Sequence, residues 1–296
     1  MKRLSTRIAA AAALAAFAVA AQAQPKTRAD CERDYKPSVG QTGKDVVWVP
    51  TPDELIARML RMAKVTDKDY VIDLGAGDGK IAIAAAKNYG ATSLGIEYNP
   101  DMVKLAQCMV QVEGVGNKTK VVQGDIFKED FSKATVLTMY LLPELNLCVR
   151  HRVLAMKPGT RVASHQFTMG EWQADEQADI DYRNAYLWIV PARVGGTWVL
   201  REANGTTTAV ALTQDFQKIG GAGVTNATLR GEELKFTHTD AKGATRAFTG
   251  KVSGKQMTGT LRTGSGEAPA TATLQGEAAA APWAAMAPSC ARFYGG

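Results

Sequence analysis

Three acidic side chains stand at the ends of three consecutive predicted strands, where they could bind one polar ligand together. They are Asp73, Glu97 and Asp125. Open parallel sheets bind ligands at their carboxyl edge, so acids at strand ends converge on one site. A carboxylate at the position of Glu97 accepts hydrogen bonds from two ribose hydroxyls, and one at Asp125 accepts from an adenine amino group. These residues predict a site for a ligand that contains adenosine.

The turn after the first of these strands contains Gly75, Gly77 and Gly79, which let a ligand approach the backbone closely. In a dinucleotide-binding turn the third glycine would fall at position 80, where this sequence has Lys80. Asp73 would repel a pyrophosphate and attract an ammonium. The turn therefore favours S-adenosylmethionine, which carries an α-amino group and a sulfonium but no phosphate. The alternatives are a phosphate- or nicotinamide-binding Rossmann domain and a degenerate turn that binds no ligand.

The elements that position these residues alternate between strand and helix from about residue 46 to 190. Apolar runs predict strands at 70–74, 92–97, 119–123, 135–141 and 161–166. Helices are predicted at 81–87, 99–112 and 143–156. Before the first strand, Thr51 is expected to cap a further helix and Pro52 to occupy its first position. The pattern is typical of a Rossmann-like, doubly wound α/β sheet.

From about residue 191 the pattern changes to short alternating runs separated by turn dipeptides. The runs lie at 197–201, 207–214, 234–238, 247–252 and 257–262. They predict an antiparallel β domain of five to seven strands, a sandwich or a small barrel. Residues 264–281 are rich in Ala, Gly, Pro and Thr and are expected to be loosely ordered, with Trp283 packing back on the β domain.

The first 23 residues predict a cleaved export signal. Lys2, Arg3 and Arg7 precede an apolar stretch at 8–21, and Ala21-Gln22-Ala23 has the small-x-small pattern of a signal-peptidase site. The bacterial periplasm is then the expected location, with an uncleaved anchor, a mitochondrial transit peptide and a plain helix as alternatives. The predicted organisation is a leader at 1–23, an extension at 24–45, a cofactor-binding domain at 46–190 and a β domain at 191–296.

Charge and composition exclude several partners. The chain of 296 residues has a net charge of +6, but without the three cations of the leader it has 32 basic and 29 acidic residues, a net +3. This balance does not indicate nucleic-acid binding. After the leader, no apolar run is long enough to span a membrane. The three histidines are dispersed and no C-x-x-C pair occurs, so no metal site is predicted.

The four cysteines fit an exported protein with one or two disulfides. Cys108 and Cys148 lie on predicted helices that cover opposite faces of a doubly wound sheet, so these two should not meet. Cys31 and Cys290 lie near the two ends of the mature chain. We expect them to form a disulfide.

Several segments resemble class I S-adenosylmethionine-dependent methyltransferases. The segments are Val-Pro-Thr-Pro at 49–52, Asp-Leu-Gly-Ala-Gly-Asp-Gly-Lys at 73–80, Gly-Ile-Glu-Tyr-Asn-Pro at 95–100, Met-Tyr-Leu-Leu-Pro at 139–143, Lys-Pro-Gly-Thr-Arg at 157–161, and Ser-His at 164–165. They look most like the protein-lysine methyltransferases related to the mitochondrial enzymes that modify the c-ring protein of ATP synthase and the adenine nucleotide carrier. The resemblance covers about residues 46–175. It implies methyl transfer to a protein lysine, with a small-molecule acceptor or a non-catalytic exported binding protein as alternatives.

The resemblance also implies roles for individual residues. Cofactor contacts are expected from Pro50, Thr51, Asp73, Gly75, Gly77, Gly79, Glu97 and Asp125. Tyr140 ends the fourth strand, where this superfamily places residues beside the transferred methyl, and could hold an amine partly by cation–π attraction; core packing is the alternative. His165 could remove a proton from an ammonium or be a hydrogen-bonded strand-end residue. Glu144 and Asn146 are expected on the surface of the following helix.

Overall fold

Residues 70 to 189 form a seven-stranded sheet in a computed structural model of the protein, which describes residues 26–276 and 278–295. The predicted leader lies outside these residues. The strands are β1 (Tyr70–Leu74), β2 (Thr92–Glu97), β3 (Thr119–Gln123), β4 (Val136–Met139), β5 (Arg161–His165), β6 (Glu176–Ile180) and β7 (Arg183–Ile189). Their order is β3-β2-β1-β4-β5-β7-β6. The first five strands are parallel, and β7 pairs antiparallel with both β5 and β6. The predicted α/β fold is confirmed; the sequence reasoning missed β6 and β7.

The strand order reverses between β1 and β4, which is where such a sheet opens a crevice at its carboxyl edge. Strand β1 lies inside the sheet, between β2 and β4, and buries apolar side chains on both faces. Val71, Ile72 and Leu74 are each at most 1% exposed. Strands covered by helices on both faces are expected to be continuously apolar.

The helices are α1 (Arg28–Asp34), α2 (Asp53–Met62), α3 (Lys80–Tyr89), α4 (Pro100–Val112), α5 (Pro143–Leu154) and α6 (Ala291–Tyr294). Helix α4 begins as its sequence predicts, because the Asn99 side chain accepts hydrogen bonds from the N–H groups of Asp101 and Met102. Helix α2 begins one residue later than predicted, with Pro52 and not Thr51 at its N-cap. No helix among the described residues is long and apolar enough to cross a membrane.

The C-terminal part forms an eight-stranded antiparallel sheet. Its strands are β8 (Gly196–Arg201), β9 (Thr207–Asp215), β10 (Lys218–Gly220), β11 (Val224–Arg230), β12 (Glu233–Thr239), β13 (Thr245–Ser253), β14 (Gln256–Thr263) and β15 (Gly266–Gln275). The strand order is β10-β9-β8-β15-β14-β13-β12-β11. The two edge strands, β10 and β11, are consecutive in the chain and contact each other, so the sheet curls almost into a barrel. The predicted antiparallel β domain is confirmed, but the predicted five to seven strands are too few.

Strand β15 corrects the expectation of loose order at 264–281. It pairs with β14 on one side and β8 on the other, inside the sheet. Ala270, Ala272 and Leu274 are buried, whereas the threonines between them are exposed. This alternation has the two-residue period of a strand, with alanine in place of large apolar residues. The Trp283 indole N–H donates to the carbonyl of Gln214 at 3.2 Å, so this residue does pack back on the β domain.

The disulfides differ from the expected Cys31–Cys290 pair. Cys31 is joined to Cys108, and Cys148 to Cys290. The expectation was wrong because the N-terminal extension folds back over α4, while the C-terminal segment reaches α5. Cys108 and Cys148 are not joined to each other, as their positions in the sheet predicted.

Candidate active site

A cavity of about 310 Å³ opens at the carboxyl edge of the seven-stranded sheet. Eight of the ten predicted site residues line it: Pro50, Thr51, Asp73, Gly75, Gly77, Glu97, Asp125 and Tyr140. The other two, Gly79 and His165, do not line the cavity but lie next to residues that do. Gly79 is the N-cap of α3 and lies close to α4, where a β-carbon on Gly79 would be 3.1 Å from that of Ala106. His165 packs against Tyr140.

Asp73 is the most deeply buried acid of the cavity. It is 2% exposed, and its carboxylate accepts a hydrogen bond from the Thr138 hydroxyl at 2.7 Å. Burial raises the pKa of Asp73 to about 7, against the hydrogen bond from Thr138, and the negative charges of Asp78 and Glu97 add to the increase. A ligand ammonium would supply the positive charge that this carboxylate needs.

Glu97 is held in place by two backbone N–H groups. One carboxylate oxygen accepts from Gly77 at 2.8 Å, and the other accepts from Asn99 at 2.9 Å. The hydrogen bond from Gly77 joins the end of β2 to the glycine turn that follows β1. The ends of β1 and β2 are therefore fixed relative to each other at the cavity. Each oxygen retains a lone pair, so the carboxylate can accept from two neighbouring hydroxyls.

Asp125 lines the cavity just after β3, the edge strand of the sheet. Its carboxylate accepts from the Lys44 ammonium at 2.8 Å and from the Phe127 N–H at 3.0 Å. Burial would raise the pKa of Asp125, but these two donors outweigh it and hold the pKa below its ordinary value. The carboxylate is therefore ionised at neutral pH and able to accept a further hydrogen bond.

Residues 35–50 form an N-terminal strap that closes one side of the cavity, and the sequence reasoning found only its last residue, Pro50. The strap folds as a small hairpin, with the Gly40 N–H donating to the Trp48 carbonyl at 2.8 Å and the Trp48 N–H donating to the Gln41 carbonyl at 2.9 Å. A β-carbon on Gly77 would lie 2.7 Å from the Trp48 indole nitrogen. The glycine therefore allows the indole of the strap to lie directly on the turn.

The strap is fastened through α1, because the Cys31–Cys108 disulfide joins α1 to α4. We expect a Cys31→Ser/Cys108→Ser variant to bind S-adenosylmethionine about tenfold more weakly, since the released strap must be ordered at each binding event. Titration calorimetry measures this effect, with circular dichroism to show that the fold is kept. Equal affinity of the variant and the oxidised wild type would show that the strap closes without the disulfide.

Tyr140 follows β4, which β1 and β2 separate from the β3 end that precedes Asp125, and it lies among other rings. Its ring centroid is 3.7 Å from that of His165 and 6.1 Å from that of Phe167. His165 is 2% exposed and shares a hydrogen bond of 3.0 Å with the Thr51 hydroxyl. This bond explains why Thr51 does not cap α2. Burial, together with the charge of Arg183, lowers the pKa of His165 to about 4, so the imidazole is neutral at physiological pH.

Asn146 corrects a prediction, because it is fully buried and not on the surface of α5. Its side-chain N–H groups donate to the carbonyls of Phe167 and Thr168 at 3.2 and 3.1 Å. The amide thus holds the segment after β5, which carries the Phe167 ring into the cavity lining. Glu144 is exposed, as the sequence predicted.

Other lining residues had no recognised signal in the sequence. They include Trp48, Asp78, Lys80, Tyr98 and Phe167. Asp78 and Lys80 stand within the glycine turn and at the start of α3, so their spacing from Asp73 could have identified them. The residues of the strap and Phe167 line the cavity only because of the tertiary fold, so their positions in the sequence give no signal.

Comparison with known proteins shows that this chain is similar to methyltransferases. The sequence profile of the ANTKMT methyltransferase domain matches residues 73–176. A protein-lysine N-methyltransferase of Saccharolobus islandicus (strain REY15A) is 38% identical over 151 residues, which cover 49% of this chain and 94% of the relative. The adenine nucleotide translocase lysine N-methyltransferase of Mus musculus is 29% identical over 104 residues, 35% of this chain and 45% of that protein.

Among solved structures, an RNA methyltransferase from Salinibacter ruber in complex with S-adenosyl-L-homocysteine is 43% identical. The match covers 49% of this chain and 96% of that one, with a TM-score of 0.49. The similarity to the Saccharolobus islandicus relative covers nearly the whole length of that protein but only about half of this chain.

Proposed function

This chain belongs to the family of S-adenosylmethionine-dependent methyltransferases that includes its protein-lysine N-methyltransferase relative, and from this membership we propose that it methylates lysine amines of a protein. The observation that carries the proposal is the arrangement of Asp73, Glu97 and Asp125 along one cavity beside Tyr140. The cavity thus combines acids that could hold the cofactor with an aromatic ring that could hold an amine.

The residues present fit S-adenosylmethionine. Asp73 offers a buried carboxylate to the α-amino group, Glu97 has two fixed oxygens for the ribose hydroxyls, and Asp125 is ionised at the adenine end. Gly77 lacks a β-carbon, so the Trp48 indole lies directly on the turn and closes the cavity there. When bound, the cofactor supplies a methyl carbon activated by its sulfonium.

The chain's own residues would align the amine and keep water out. The reaction is an in-line displacement, so the acceptor nitrogen must approach uncharged and along one direction. The Tyr140 ring provides a face for the amine, and the Thr51–His165 hydrogen bond together with the ring contact fixes this face. Because the pKa of His165 is about 4, we assign it to positioning Tyr140 and not to removing a proton from an ammonium.

A lysine acceptor is supported by the names of the relatives. The archaeal relative is a protein-lysine N-methyltransferase, and the mouse relative is a lysine N-methyltransferase of the adenine nucleotide translocase. The alternatives are a small-molecule acceptor and a catalytically idle binding protein. A single methyl-transfer assay distinguishes both alternatives from the proposal.

Export to the periplasm is part of the proposal. All four cysteines are joined in disulfides, which persist in oxidising compartments. The predicted leader at 1–23 supports the same location. Envelope proteins are therefore the substrates to test first.

The test is transfer of a radiolabelled methyl group from S-adenosylmethionine to fractionated cell-envelope proteins, followed by mass spectrometry of the labelled protein. We expect label on a lysine with the wild type and no label with Asp73→Ala. Label only in small molecules would favour the small-molecule alternative. Binding of the cofactor without any transfer would favour the idle binding protein.

We expect Tyr140→Ala to lower kcat by at least about tenfold, because the amine loses its aromatic face and its alignment. The affinity for S-adenosylmethionine should change by less than about threefold. Steady-state kinetics and calorimetry on the same preparations measure the two effects. A Tyr140→Phe variant keeps the ring and should retain most of the activity. If Tyr140→Ala has wild-type kcat, the ring serves only core packing.

A further inference from the structure

The cavity is lined by more acids than cations. Among the described residues, its lining contains two cationic side chains, Lys44 and Lys80, and five acids. The acids suit the α-amino group, the sulfonium and the hydroxyls of S-adenosylmethionine, but this ligand also carries an α-carboxylate. A carboxylate that leaves water for a site among acids needs a cation or several N–H donors, because an unpaired charge is costly to bury. The two lysines and the backbone N–H groups of the glycine turn are the candidates.

Lys44 lies on the wrong side of the cavity for this role. Its ammonium donates to the Asp125 carboxylate at 2.8 Å, just after β3. Asp73, which would bind the α-amino group, lies in β1, and β2 separates β1 from β3. The α-amino group and the α-carboxylate are attached to the same carbon, so the group that binds the carboxylate must lie near Asp73.

Lys80 lies on the side of the cavity where Asp73 is. It is the first residue of α3, directly after the glycine turn that follows β1. Burial raises the pKa of Asp78, and the positive charge of Lys80 opposes this increase. Burial also raises the pKa of Asp73, and the negative charge of Asp78 adds to that increase. Asp78 therefore interacts electrostatically with both residues, and Lys80 is the lysine of the lining that is placed near Asp73.

The Lys80 ammonium is held in place and still has a free donor. It donates to the Thr51 carbonyl at 3.3 Å and pairs with the Asp53 carboxylate at 2.7 Å. An ammonium has three N–H donors, so with these two acceptors among the described residues one N–H is left for a ligand. The Asp53 side chain is 83% exposed, and an exposed pair of this kind contributes little to stability. A ligand carboxylate can therefore bind to the ammonium beside Asp53 or in its place.

We propose that Lys80 binds the α-carboxylate of S-adenosylmethionine and so selects this cofactor over adenosine compounds that lack the carboxylate. The inference rests on the cofactor placement in the proposed function, with Asp73 at the α-amino group, and does not depend on the methyl acceptor. Arg28 of α1 lies 3.9 Å from Asp78 but does not line the cavity. Together, Asp73 and Lys80 would bind the two charged groups of the amino-acid part of the cofactor.

The test compares S-adenosylmethionine with its decarboxylated form, which keeps the amino group, the sulfonium and the adenosine. Titration calorimetry measures both affinities for the full-length wild type, Lys80→Met, Lys80→Arg and the control Lys87→Met. Lys87 lies on the same helix and pairs with Glu113 at 2.6 Å, outside the cavity. The ratio of the two affinities isolates the carboxylate, because a general loosening of the site weakens both ligands alike.

We expect the wild type and Lys87→Met to prefer S-adenosylmethionine by about tenfold to 100-fold, the effect of a charge-assisted hydrogen bond. Lys80→Met should lose at least about tenfold of this preference, and Lys80→Arg should keep most of it. If Lys80→Met does not fold, Asp53→Asn tests the same contact. It frees the ammonium from its exposed partner and should raise the preference by about twofold to threefold.

An unchanged preference in the folded variant would assign the carboxylate to backbone N–H groups and overturn the inference, while the cofactor placement would stand. A wild type that binds both ligands equally would also overturn it. If the wild type binds neither ligand, the cofactor placement itself is contradicted, and the inference with it.

Discussion

Replacing Glu97 with alanine is expected to weaken binding of S-adenosylmethionine by at least about 100-fold. Hydrogen bonds to a charged acceptor contribute about 1.5–3 kcal/mol each, and the carboxylate is placed to accept two from the ribose. The substitution also removes the acceptor of the Gly77 and Asn99 N–H groups, which would release the turn from the end of β2. Titration calorimetry with purified protein measures the effect directly.

Two further variants make this result specific. Glu97→Gln keeps one carbonyl oxygen and should lose less affinity than alanine. Glu113→Ala removes an acid that pairs with Lys87 outside the cavity and should bind like the wild type. If Glu97→Ala bound within about threefold of the wild type, the ribose would not lie at the end of β2, and the proposed placement of the cofactor would be wrong.

Binding of S-adenosylmethionine should also weaken as the pH falls below about 7, because the pKa of Asp73 in the free protein is about 7. The ligand ammonium favours the carboxylate, so binding below this pH requires the loss of a proton. The association constant should fall by about tenfold for each pH unit below 7 and be flat just above it. Calorimetry between pH 5 and 8 in two buffers of different ionisation enthalpy would detect both the slope and the released proton.

Asp73→Asn is the matched variant, since its amide oxygen can still accept from Thr138. It should bind more weakly at pH 8 by about tenfold to 100-fold, and its affinity should depend less on pH than that of the wild type. Burial also raises the pKa of Asp78 in the same cavity. Asp78 is present in both the wild type and Asp73→Asn, so its protonation affects both. Equal pH slopes in the two proteins would assign the proton to Asp78 and contradict the role of Asp73.

The strand ends were predictable because local patterns determine them. Short apolar runs bounded by Gly and Pro identify the parallel strands, and the acid that follows each run must lie at the carboxyl edge. Asn99-Pro100 likewise marks the start of α4 by a cap that needs only neighbouring residues. The acids that line the cavity could therefore be predicted from residues close together in sequence.

Strand β15 shows where such patterns fail. Its inward residues are mostly alanine, so the segment has a two-residue period but little hydrophobic contrast. It is a strand because β14 and β8 offer hydrogen-bonding partners on both sides. Composition alone suggested a loose tail, and pairing at long range decided otherwise.

The sequence by itself determined the family, the cofactor and the acids that line the cavity, because these depend on residue type and on spacing within single strand–turn–helix units. Only the tertiary structure decided the disulfide pairs, the closure of the cavity by the strap and the burial of Asn146. Each of these joins segments far apart in the chain, such as Cys31 with Cys108 and Cys148 with Cys290. Such contacts arise from how whole elements pack, and no local periodicity or spacing records them.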